Sequence, residues 1–389
     1  MRGFITGGLG VALLFACPTA CGPAPATDPW PAEAWPTATP EAQGLDAAVL
    51  SRLDDELRAG EHGFVDGLLV IRNGLVVHEA SFTRDYDTPF KKITQPPGPY
   101  NYYDPEWHPY YRRGRLHTLQ SVSKSVTSAL IGIAIRRGEI PGVGVRVLPY
   151  FDGFPIKNLD DRKKAITLED LLTMRSGLEW DEWSTDYTSP ANSCSVMEGL
   201  DDWVGYVLDR PMAHRPGEVF TYSSGVTMLL VHILQAATGK DAEDYAREHL
   251  FGPLGIREHY WKRTPKGIPD AEGGLYFTAS DLARIGYLYL HGGVWDGRRI
   301  LPDDWVARSI SPIVAATSTG IEGFGYGYQW WAGRQSYAAS GYGGQRLFVV
   351  PGRNLIAVYT GWNIYHDPSL DPVTALDRVL EAVRTPLQK

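Results

Sequence analysis

The chain is poor in cysteine, with three in 389 residues, and two of these, Cys17 and Cys21, lie close to the N-terminus. Cys194 is alone in the rest of the chain, which excludes a disulfide there. The ten histidines are scattered and no His-Glu-x-x-His occurs, so we expect neither a metal nor another cofactor. A Gly-x-Ser-x-Gly nucleophile elbow is also absent, which excludes the hydrolases that depend on one.

Basic residues are too dispersed to form a nucleic-acid-binding stripe. The 37 Lys and Arg are outnumbered by 45 Asp and Glu, and the net charge of −8 predicts an acidic, soluble surface with no nucleic-acid partner. Apolar side chains are abundant, since 43% of the residues are hydrophobic and 12% are aromatic. This content is sufficient for a large core, and the length favours two lobes.

The N-terminal apolar run, residues 4–16, follows Arg2 and is too short to span a bilayer comfortably. It predicts an export signal over residues 1–21. Leu14-Phe15-Ala16-Cys17 resembles a bacterial lipoprotein cleavage box, whereas Cys21 is preceded by Pro18 at the position of the box leucine. We expect an exported, periplasmic or cell-surface protein that is lipid-anchored to a bacterial membrane through Cys17 or Cys21. An ordinary secretory signal is the alternative.

A proline-rich stretch follows this signal, with prolines at positions 23, 25, 29, 31, 36 and 40. Proline at this density prevents helix formation and favours extended backbone. Residues 22–42 are therefore predicted to be an extended tether.

Short strand-like segments lie near both ends of the sequence. The runs 65–71 and 75–80 flank Asn73-Gly74, a dipeptide typical of a tight hairpin. Four Gly-punctuated runs lie at 323–331, 336–341, 345–350 and 355–360. These segments predict an α/β (α+β) protein whose antiparallel sheet lobe comprises residues 43–115 and 273–389.

The intervening residues, 116–272, carry mainly helical patterns and predict an inserted helical lobe, with a catalytic cleft between the lobes. The first of these helices starts near Ser121, buries the stripe Val126, Leu130, Ile133 and Ala134, and ends at Gly138. Another starts with a capping-box pattern at Thr167 and Asp170. Further helices are predicted at 45–59, 227–237, 242–250, 281–290 with Ser280 as N-cap, 302–309 and 371–383.

The segment 85–115 is irregular and crowded with Pro, Tyr and Trp. A surface loop and a pocket wall are equally compatible with this composition.

Ser121-Val122-Ser123-Lys124 places a hydroxyl and an amine three residues apart at the head of a helix. Residues i and i+3 share a helix face, so the two groups are expected to be neighbours. A serine is a weak nucleophile until a base takes its proton, and a lysine held neutral can be that base. For this segment alone, a solvated helix start is the alternative.

Two further segments supply what an acyl-transfer serine also needs. Tyr222-Ser223-Ser224 precedes a helix, and a nearby lysine cation can lower the pKa of a tyrosine so that it exchanges protons with serine and substrate. The glycines of the turn 339–345 let a strand edge pass close to a ligand, where a backbone N–H can pair with that of Ser121 to hold an oxyanion. Taken singly, a buried tyrosine and a Gly-rich turn between strands are the commoner interpretations.

The three segments together resemble the serine hydrolases of the class C β-lactamase and penicillin-binding-protein-like superfamily. Ser121-Val122-Ser123-Lys124 matches its first motif, and Tyr222-Ser223-Ser224 matches its Tyr-x-Asn/Ser motif. Residues 166–178 match its Ile-Thr-x-x-x-Leu-Leu-x-x-x-Ser-Gly-Leu signature, and Pro216-Gly217 with Phe220 and Pro253-Leu254-Gly255-Ile256 also match. The resemblance extends from Gly44 to the C-terminal helix and implies a β-lactamase/transpeptidase-like fold.

The third motif departs from the pattern of that superfamily. Penicillin-recognising members carry Lys or His followed by Thr-Gly, where this chain has Ala339-Ser340-Gly341. A β-lactam carboxylate thus lacks its usual cationic partner. The apolar version, ending in Gly343-Gly344-Gln345, resembles the branch that contains 6-aminohexanoate-dimer hydrolase and related esterases. That branch cleaves linear amides and esters, but its substrate-amine-binding residues have no match here.

The resemblance implies an acyl-enzyme mechanism on a small-molecule ester or amide. Neutral Lys124 takes the proton of Ser121, which attacks the carbonyl, and Tyr222 returns a proton to the leaving group. Ser224 is expected to hydrogen-bond within the Lys124–Tyr222 network.

The resemblance also places the oxyanion between the N–H groups of Ser121 and Tyr342, beside Gly341 and Ser340. Two other functions stay open: a β-lactamase or D-Ala-D-Ala-type peptidase of the same fold, and a non-catalytic binding protein on this fold.

Overall fold

The computed structural model describes residues 28–85, 112–364 and 372–384. The predicted export signal with Cys17 and Cys21, and most of the segment 85–115, lie outside the described residues. The strands are β1 Val65–Arg72, β2 Leu75–Ser81, β3 Arg112–Arg113, β4 Leu116–Thr118, β5 Tyr260–Trp261, β6 Leu275–Phe277, β7 Val294–Trp295, β8 Arg298–Arg299, β9 Phe324–Tyr326, β10 Trp331–Gly333, β11 Tyr337–Gly341, β12 Gln345–Val350 and β13 Leu355–Gly361.

The helices lie mainly between the two groups of strands. They are α1 Ala47–Ala59, α2 Val122–Arg136, α3 Asp161–Lys164, α4 Leu168–Leu172, α5 Ser193–Glu198, α6 Trp203–Asp209, α7 Ser224–Thr238, α8 Ala242–Ala246, α9 Gly252–Leu254, α10 Ala279–Leu290, α11 Trp305–Ile310, α12 Ala316–Thr319 and α13 Pro372–Glu381. A π-helical turn, Arg247–Phe251, joins α8 to α9. Within the described ranges, no helix combines the length and the apolar character needed to cross a membrane.

A seven-stranded antiparallel sheet in the order β2-β1-β13-β12-β11-β10-β9 unites the two ends of the described chain. Within it β1, from the N-terminal part, pairs with β13, from the C-terminal part, which confirms the predicted antiparallel sheet and the mixed α/β class. The predicted hairpin is also confirmed, because Asn73 and Gly74 have φ values of 53° and 73° and connect β1 to β2. Only a few residue types enter this left-handed region at low cost, and Asn-Gly is the favoured pair.

Two local predictions are wrong. Residues 323–331 do not form one strand, because the chain leaves the sheet after β9 and the Gln329 N–H donates to Leu172 O of α4 at 3.0 Å. Ser280 is not the N-cap of the helix that contains 281–290. The Thr278 hydroxyl accepts the Asp281 N–H at 3.0 Å, so α10 begins at Ala279 and Ser280 lies inside it.

Gln329 links the strand-rich and helical parts through buried hydrogen bonds. Its backbone carbonyl accepts the hydroxyl of Ser125 at 2.6 Å, and its side-chain oxygen accepts that of Thr227 at 3.0 Å. These partners lie on α2 and α7, two helices of the predicted helical lobe. The residue that interrupts the sheet therefore also positions the helix that follows Ser121.

Residues 28–40, which we call the strap, lie against the protein body. Trp35 is buried and its Nε1–H donates to Ser280 O at 3.1 Å. The buried guanidinium of Arg284 donates to the carbonyls of Pro31, Ala32 and Glu33. The prediction of a tether over residues 22–42 is thus wrong from Asp28 onward, because its tryptophans and carbonyls find partners on α10.

Candidate active site

Ser121 lies in the tight turn from which α2 begins. The preceding residue, Gln120, has a φ of 48°, a region that non-glycine residues seldom adopt. The turn is held by hydrogen bonds from Val122 N to Leu119 O at 3.1 Å and from Ser123 N to Gln120 O at 2.9 Å. Ser121 remains half-buried while the next residues of the helix are fully covered, so its hydroxyl is the accessible end of this segment.

The ammonium nitrogen of Lys124 lies beneath the Ser121 hydroxyl, as the three-residue spacing predicts. The Lys124 Nζ–Ser121 Oγ distance is 2.9 Å. The same nitrogen donates to the backbone carbonyl of Glu272 at 2.8 Å and approaches Glu272 Oε2 at 3.3 Å. Lys124 is 1% exposed, so these contacts replace its hydration.

The charges around Lys124 oppose the predicted neutral amine. Burial alone would lower the lysine pKa, but Tyr222, Glu272 and Glu182 outweigh that effect and raise it. Burial likewise favours a protonated Glu272, but the nearby Lys124 prevails and lowers the pKa of this carboxyl. The resting site therefore contains an ammonium–carboxylate pair, and the lysine must lose a proton before it can act as a base.

Tyr222 covers the other side of the lysine. Its ring centroid lies 5.4 Å from Lys124 Nζ, so the structure brings together the first and second predicted motifs. The expected lowering of its pKa is wrong: burial raises the pKa, and the opposing effects of Lys124 and Ser121 are smaller. The resting residue is a phenol, which can donate a proton.

Ser224 does not join the Lys124–Tyr222 network, and that prediction is wrong. Both its backbone N–H and its hydroxyl bind the carboxylate of Glu182, at 2.7 and 2.6 Å. The same carboxylate accepts hydrogen bonds from Trp180 Nε1 at 2.7 Å and from the Tyr187 hydroxyl at 2.8 Å. A buried acid is satisfied in this way by four donor groups, and Ser224 supplies two of them.

The third predicted segment reaches Ser121 from the sheet. Ala339, Ser340 and Gly341 lie on β11, and Tyr342–Gly344 form the turn to β12. A Cβ atom on Gly341 would lie 3.0 Å from that of Gln120 and would clash with Leu119 O. Glycine is thus required there because the strand end packs directly on the turn that carries Ser121.

Two polar side chains hold this turn. The buried amide of Gln345 donates to Tyr342 O at 3.3 Å and to Gly361 O, and its oxygen accepts the Gly361 N–H at 3.3 Å. The guanidinium of Arg346 donates to Gly341 O at 2.7 Å. A cation therefore lies beside the third segment, but it binds the backbone of the turn.

Glu272 and Glu182 are the site residues that sequence reasoning missed. Glu272 lies 148 positions from Lys124, and Glu182 lies 42 positions from Ser224. Neither belongs to a spacing motif, and no periodicity marks them. A buried carboxylate that meets its partner only through tertiary packing has no local sequence signal.

Cys194, Glu198 and Glu272 form a buried group whose potential ligand atoms lie within 4.8 Å of one another. They do not fit a divalent cation. Burial raises the pKa of the Cys194 thiol well above its usual range, whereas metal binding requires a thiolate. In addition, Lys124 and Lys262 already supply positive charge to these carboxyls.

Comparisons with known proteins agree with this geometry. The sequence model of the Beta-lactamase family matches residues 51–370. The chain belongs to the beta-lactamase family. The match spans the Ser121, Tyr222 and Gly341 segments together, and it makes the protein a hydrolase with a serine-hydrolase fold.

Proteins similar to this chain carry different activities in their descriptions. A 6-aminohexanoate-dimer hydrolase from Paenarthrobacter ureafaciens is 28% identical over 277 residues, which cover 64% of this chain and 68% of the relative. Penicillin-binding protein 4 from Amycolatopsis lactamdurans is 25% identical over 274 residues, 61% of this chain and 69% of the relative. The solved structure of EstCE1, a hydrolase with promiscuous acyltransferase activity, has a TM-score of 0.67 at 15% identity and covers 89% of this chain and 100% of its own.

Proposed function

We propose that this protein is an exported serine hydrolase that cleaves a linear ester or amide through an acyl-enzyme on Ser121. The observation that carries the proposal is the 2.9 Å contact between Lys124 Nζ and Ser121 Oγ. The ring centroid of Tyr222 lies 5.4 Å from the same nitrogen. A non-catalytic binding protein would not need a buried lysine against an accessible serine, since a buried cation costs free energy.

The proton transfers follow from the resting charges. Ser121 loses its proton to Lys124 as it attacks the carbonyl, once the lysine has discharged. Tyr222, a phenol in the resting site, protonates the leaving group. Water then repeats the sequence on the acyl-enzyme. The backbone N–H groups of Ser121 and Tyr342 are proposed to hold the oxyanion, with Gly341 and Ser340 forming the adjacent strand end.

Uncharged substrates are favoured by the surroundings of Tyr222. Its ring is stacked with Trp183 at 4.8 Å and with Trp331 at 6.0 Å, and Phe220 lies 6.3 Å from Trp183. Trp183 is 48% exposed and forms the outer surface of this aromatic group. This aromatic group and the apolar third segment both favour binding of an apolar or flat substrate over one that carries a carboxylate.

Labelling with a fluorophosphonate followed by peptide mass mapping tests the nucleophile. We expect the adduct on Ser121, its loss in Ser121→Ala, and unchanged labelling in Ser51→Ala, an exposed serine on α1. Ester hydrolysis by a folded protein whose Ser121 stays unmodified would contradict the mechanism.

A substrate panel separates this function from the β-lactamase or peptidase alternative. p-Nitrophenyl esters and linear amides should be turned over, whereas nitrocefin should not. Penicillin should leave no stable adduct on Ser121. Efficient nitrocefin turnover would instead favour the alternative, to which the relationship with penicillin-binding protein 4 lends weight.

We also propose that the protein is anchored to a bacterial membrane by a lipid on Cys17 or Cys21. The support is the apolar run 4–16 followed by the Leu14-Phe15-Ala16-Cys17 pattern. Mass analysis of the membrane fraction should find a diacylated N-terminal cysteine, and replacing that cysteine by Ser should release the protein. An unmodified, cleaved terminus in the soluble fraction would favour a plain secretory signal.

A further inference from the structure

Behind Lys124 lies a buried group of ionisable side chains that the proposed mechanism does not use. Glu272 contacts Lys124 on one side and shares a hydrogen bond with Glu198 on the other. Asp270 and Lys262 form an ion pair in the same group, with a Nζ–Oδ2 distance of 3.5 Å. Glu272, Glu198 and Asp270 are all at least nine-tenths buried.

The hydrogen-bond partners of Lys124 allow both of its protonation states. An ammonium has three hydrogens, and these match Ser121 Oγ, Glu272 O and Glu272 Oε2. A neutral amine has two hydrogens and a lone pair. Both Glu272 oxygens can still accept a hydrogen bond after Oε2 has taken the proton, and the Ser121 hydroxyl can donate one. The lone pair can therefore face Ser121 while both N–H groups stay on Glu272.

We propose that Glu272 is the proton acceptor that discharges Lys124, with Glu198 as the donor that holds the Glu272 carboxylate in position. This inference rests on the proposed function, because it assigns a residue to the activation of Ser121. Glu272 acts through Lys124 and does not touch the substrate, so it is a positioning and proton-accepting residue.

The charges of the group keep Glu272 ionised, so that it is available to accept a proton. Burial raises the pKa of Glu198 well above its usual range, so Glu198 stays protonated and can donate to Glu272. Three carboxyls then face two ammonium groups, and one proton on the carboxyls leaves no net charge. The titratable or charged groups that surround Glu272 are Lys124 from α2, Cys194 and Glu198 from α5, Lys262 and Asp270 from the strand-loop segment before it, and Tyr222 and Glu182 on the far side of Lys124.

The proposed step balances without another reactant. The O–H bond of Ser121 breaks as its Oγ–carbon bond to the substrate carbonyl forms. Before this, Lys124 passes one proton from Nζ to Glu272 Oε2, and the lone pair that this exposes accepts the serine proton. When the tetrahedral intermediate collapses, Tyr222 protonates the leaving group and is reprotonated from Lys124, which recovers its proton from Glu272.

The pH dependence of the rate of Ser121 modification by a fluorophosphonate tests the inference. In the wild type, activity should be lost only at acid pH, as Glu272 becomes protonated. In Glu272→Gln, Lys124 must lose its proton to solvent. The pH below which the labelling rate falls should therefore rise by about two units or more. The rate at pH 6 should fall by about 100-fold and recover as the pH rises. In Glu272→Asp, the rate should fall at the same acid pH as in the wild type, but its maximum value should be lower.

Glu139→Gln is the matched control, since Glu139 binds the Tyr245 hydroxyl away from this site, and its profile should stay unchanged. If the labelling rate of Glu272→Gln falls by the same factor at every pH, so that the shape of the pH profile is unchanged, Glu272 has only a structural role and the inference is overturned. If Ser121 is never labelled, the proposed function itself fails, which is a distinct outcome.

A measurement on the wild type alone covers the case in which both variants fail to fold. Its rate of Ser121 labelling should stay high well below the ordinary lysine pKa, because Glu272 takes the lysine proton. A rate that already falls near the ordinary lysine pKa of about 10.4 would overturn the inference.

Discussion

The carboxylate of Glu182 accepts two hydrogen bonds from Ser224, one from the backbone N–H at 2.7 Å and one from the hydroxyl at 2.6 Å. Ser224 is the first residue of α7 and follows Tyr222 by two positions. A single buried acid therefore fixes the start of this helix and the backbone that carries the tyrosine. Trp180 and Tyr187 donate to the same carboxylate, so four donors depend on one side chain.

Glu182→Ala should destabilise the protein far more than Ser224→Ala. The first change leaves four donors without an acceptor, three of them fully buried, whereas the second removes only one of the four. We expect a loss in the free energy of unfolding of about 3 kcal/mol or more for Glu182→Ala and about 1 kcal/mol for Ser224→Ala. Urea denaturation followed by tryptophan fluorescence measures both. Equal losses would show that the acid does not organise this region.

Gly341→Ala should impair catalysis without unfolding the protein. The new methyl group meets the turn that carries Ser121, so β11 must shift away and the proposed oxyanion donor at Tyr342 moves with it. A loss on the order of 100-fold in kcat is expected for a misplaced oxyanion donor. Gly144→Ala is the control, because a Cβ there meets nothing within 4 Å. Steady-state kinetics on a p-nitrophenyl ester compare the two, and wild-type kcat in the Gly341 variant would refute the placement.

Trp183→Ala should weaken binding of aromatic substrates selectively. The ring is 48% exposed and lies nearly parallel to Tyr222, at an angle of 18°. Loss of an aromatic pair corresponds to about 0.5–1.5 kcal/mol, so KM for phenyl acetate should rise up to about tenfold. KM for ethyl acetate should change little, and Trp183→Phe should restore part of the affinity. A parallel rise for both esters would mean that the tryptophan shapes the site but does not contact the substrate.

Asp270 should make the folded protein less stable as the pH rises from about 4 to about 6. Burial, aided by the charge of Glu272 and opposed by that of Lys262, raises its pKa from 3.8 to about 6. In this window the folded state binds a proton that the unfolded state has released, so the free energy of unfolding falls with rising pH.

Asp270→Asn removes this contribution while its side-chain oxygen can still accept the Gly273 N–H. Unfolding free energies measured across this range should therefore show the wild type losing stability relative to the variant. Glu322→Gln, at an exposed carboxyl, should follow the wild type throughout. A difference between Asp270→Asn and the wild type that is constant with pH would contradict the raised pKa.

Elements that depend on local chemistry could be predicted from the sequence. The hairpin at Asn73-Gly74 and the capping box at Thr167 and Asp170 need only neighbouring residues, and both are present. The Ser121–Lys124 contact follows from helical spacing alone. The structure also brings Tyr222 next to Lys124 and Gly341 against the turn that carries Ser121. The family resemblance predicts this proximity, whereas composition and periodicity do not.

The remaining features depend on contacts between distant residues. Ser224 was expected to face Lys124, but Glu182, from a loop 42 positions earlier, binds it instead. The pKa of Lys124 is raised by Tyr222, Glu272 and Glu182, and no sequence pattern links the two glutamates to the lysine. Proline content indicates extended backbone in the strap, but not that Trp35 finds a buried position on α10.

If the proposed lipid anchor is present, the docked strap limits how far the protein body can lie from a membrane. Asp28 is fixed to the body through the side-chain amide of Asn354, at 2.6 Å. If the lipid is on Cys21, the seven residue-to-residue steps from Cys21 to Asp28 span at most about 25 Å when fully extended. A lipid on Cys17 extends that reach to about 40 Å. Such a short linker would keep the protein body close to the bilayer, so its substrates would have to be met near the membrane surface.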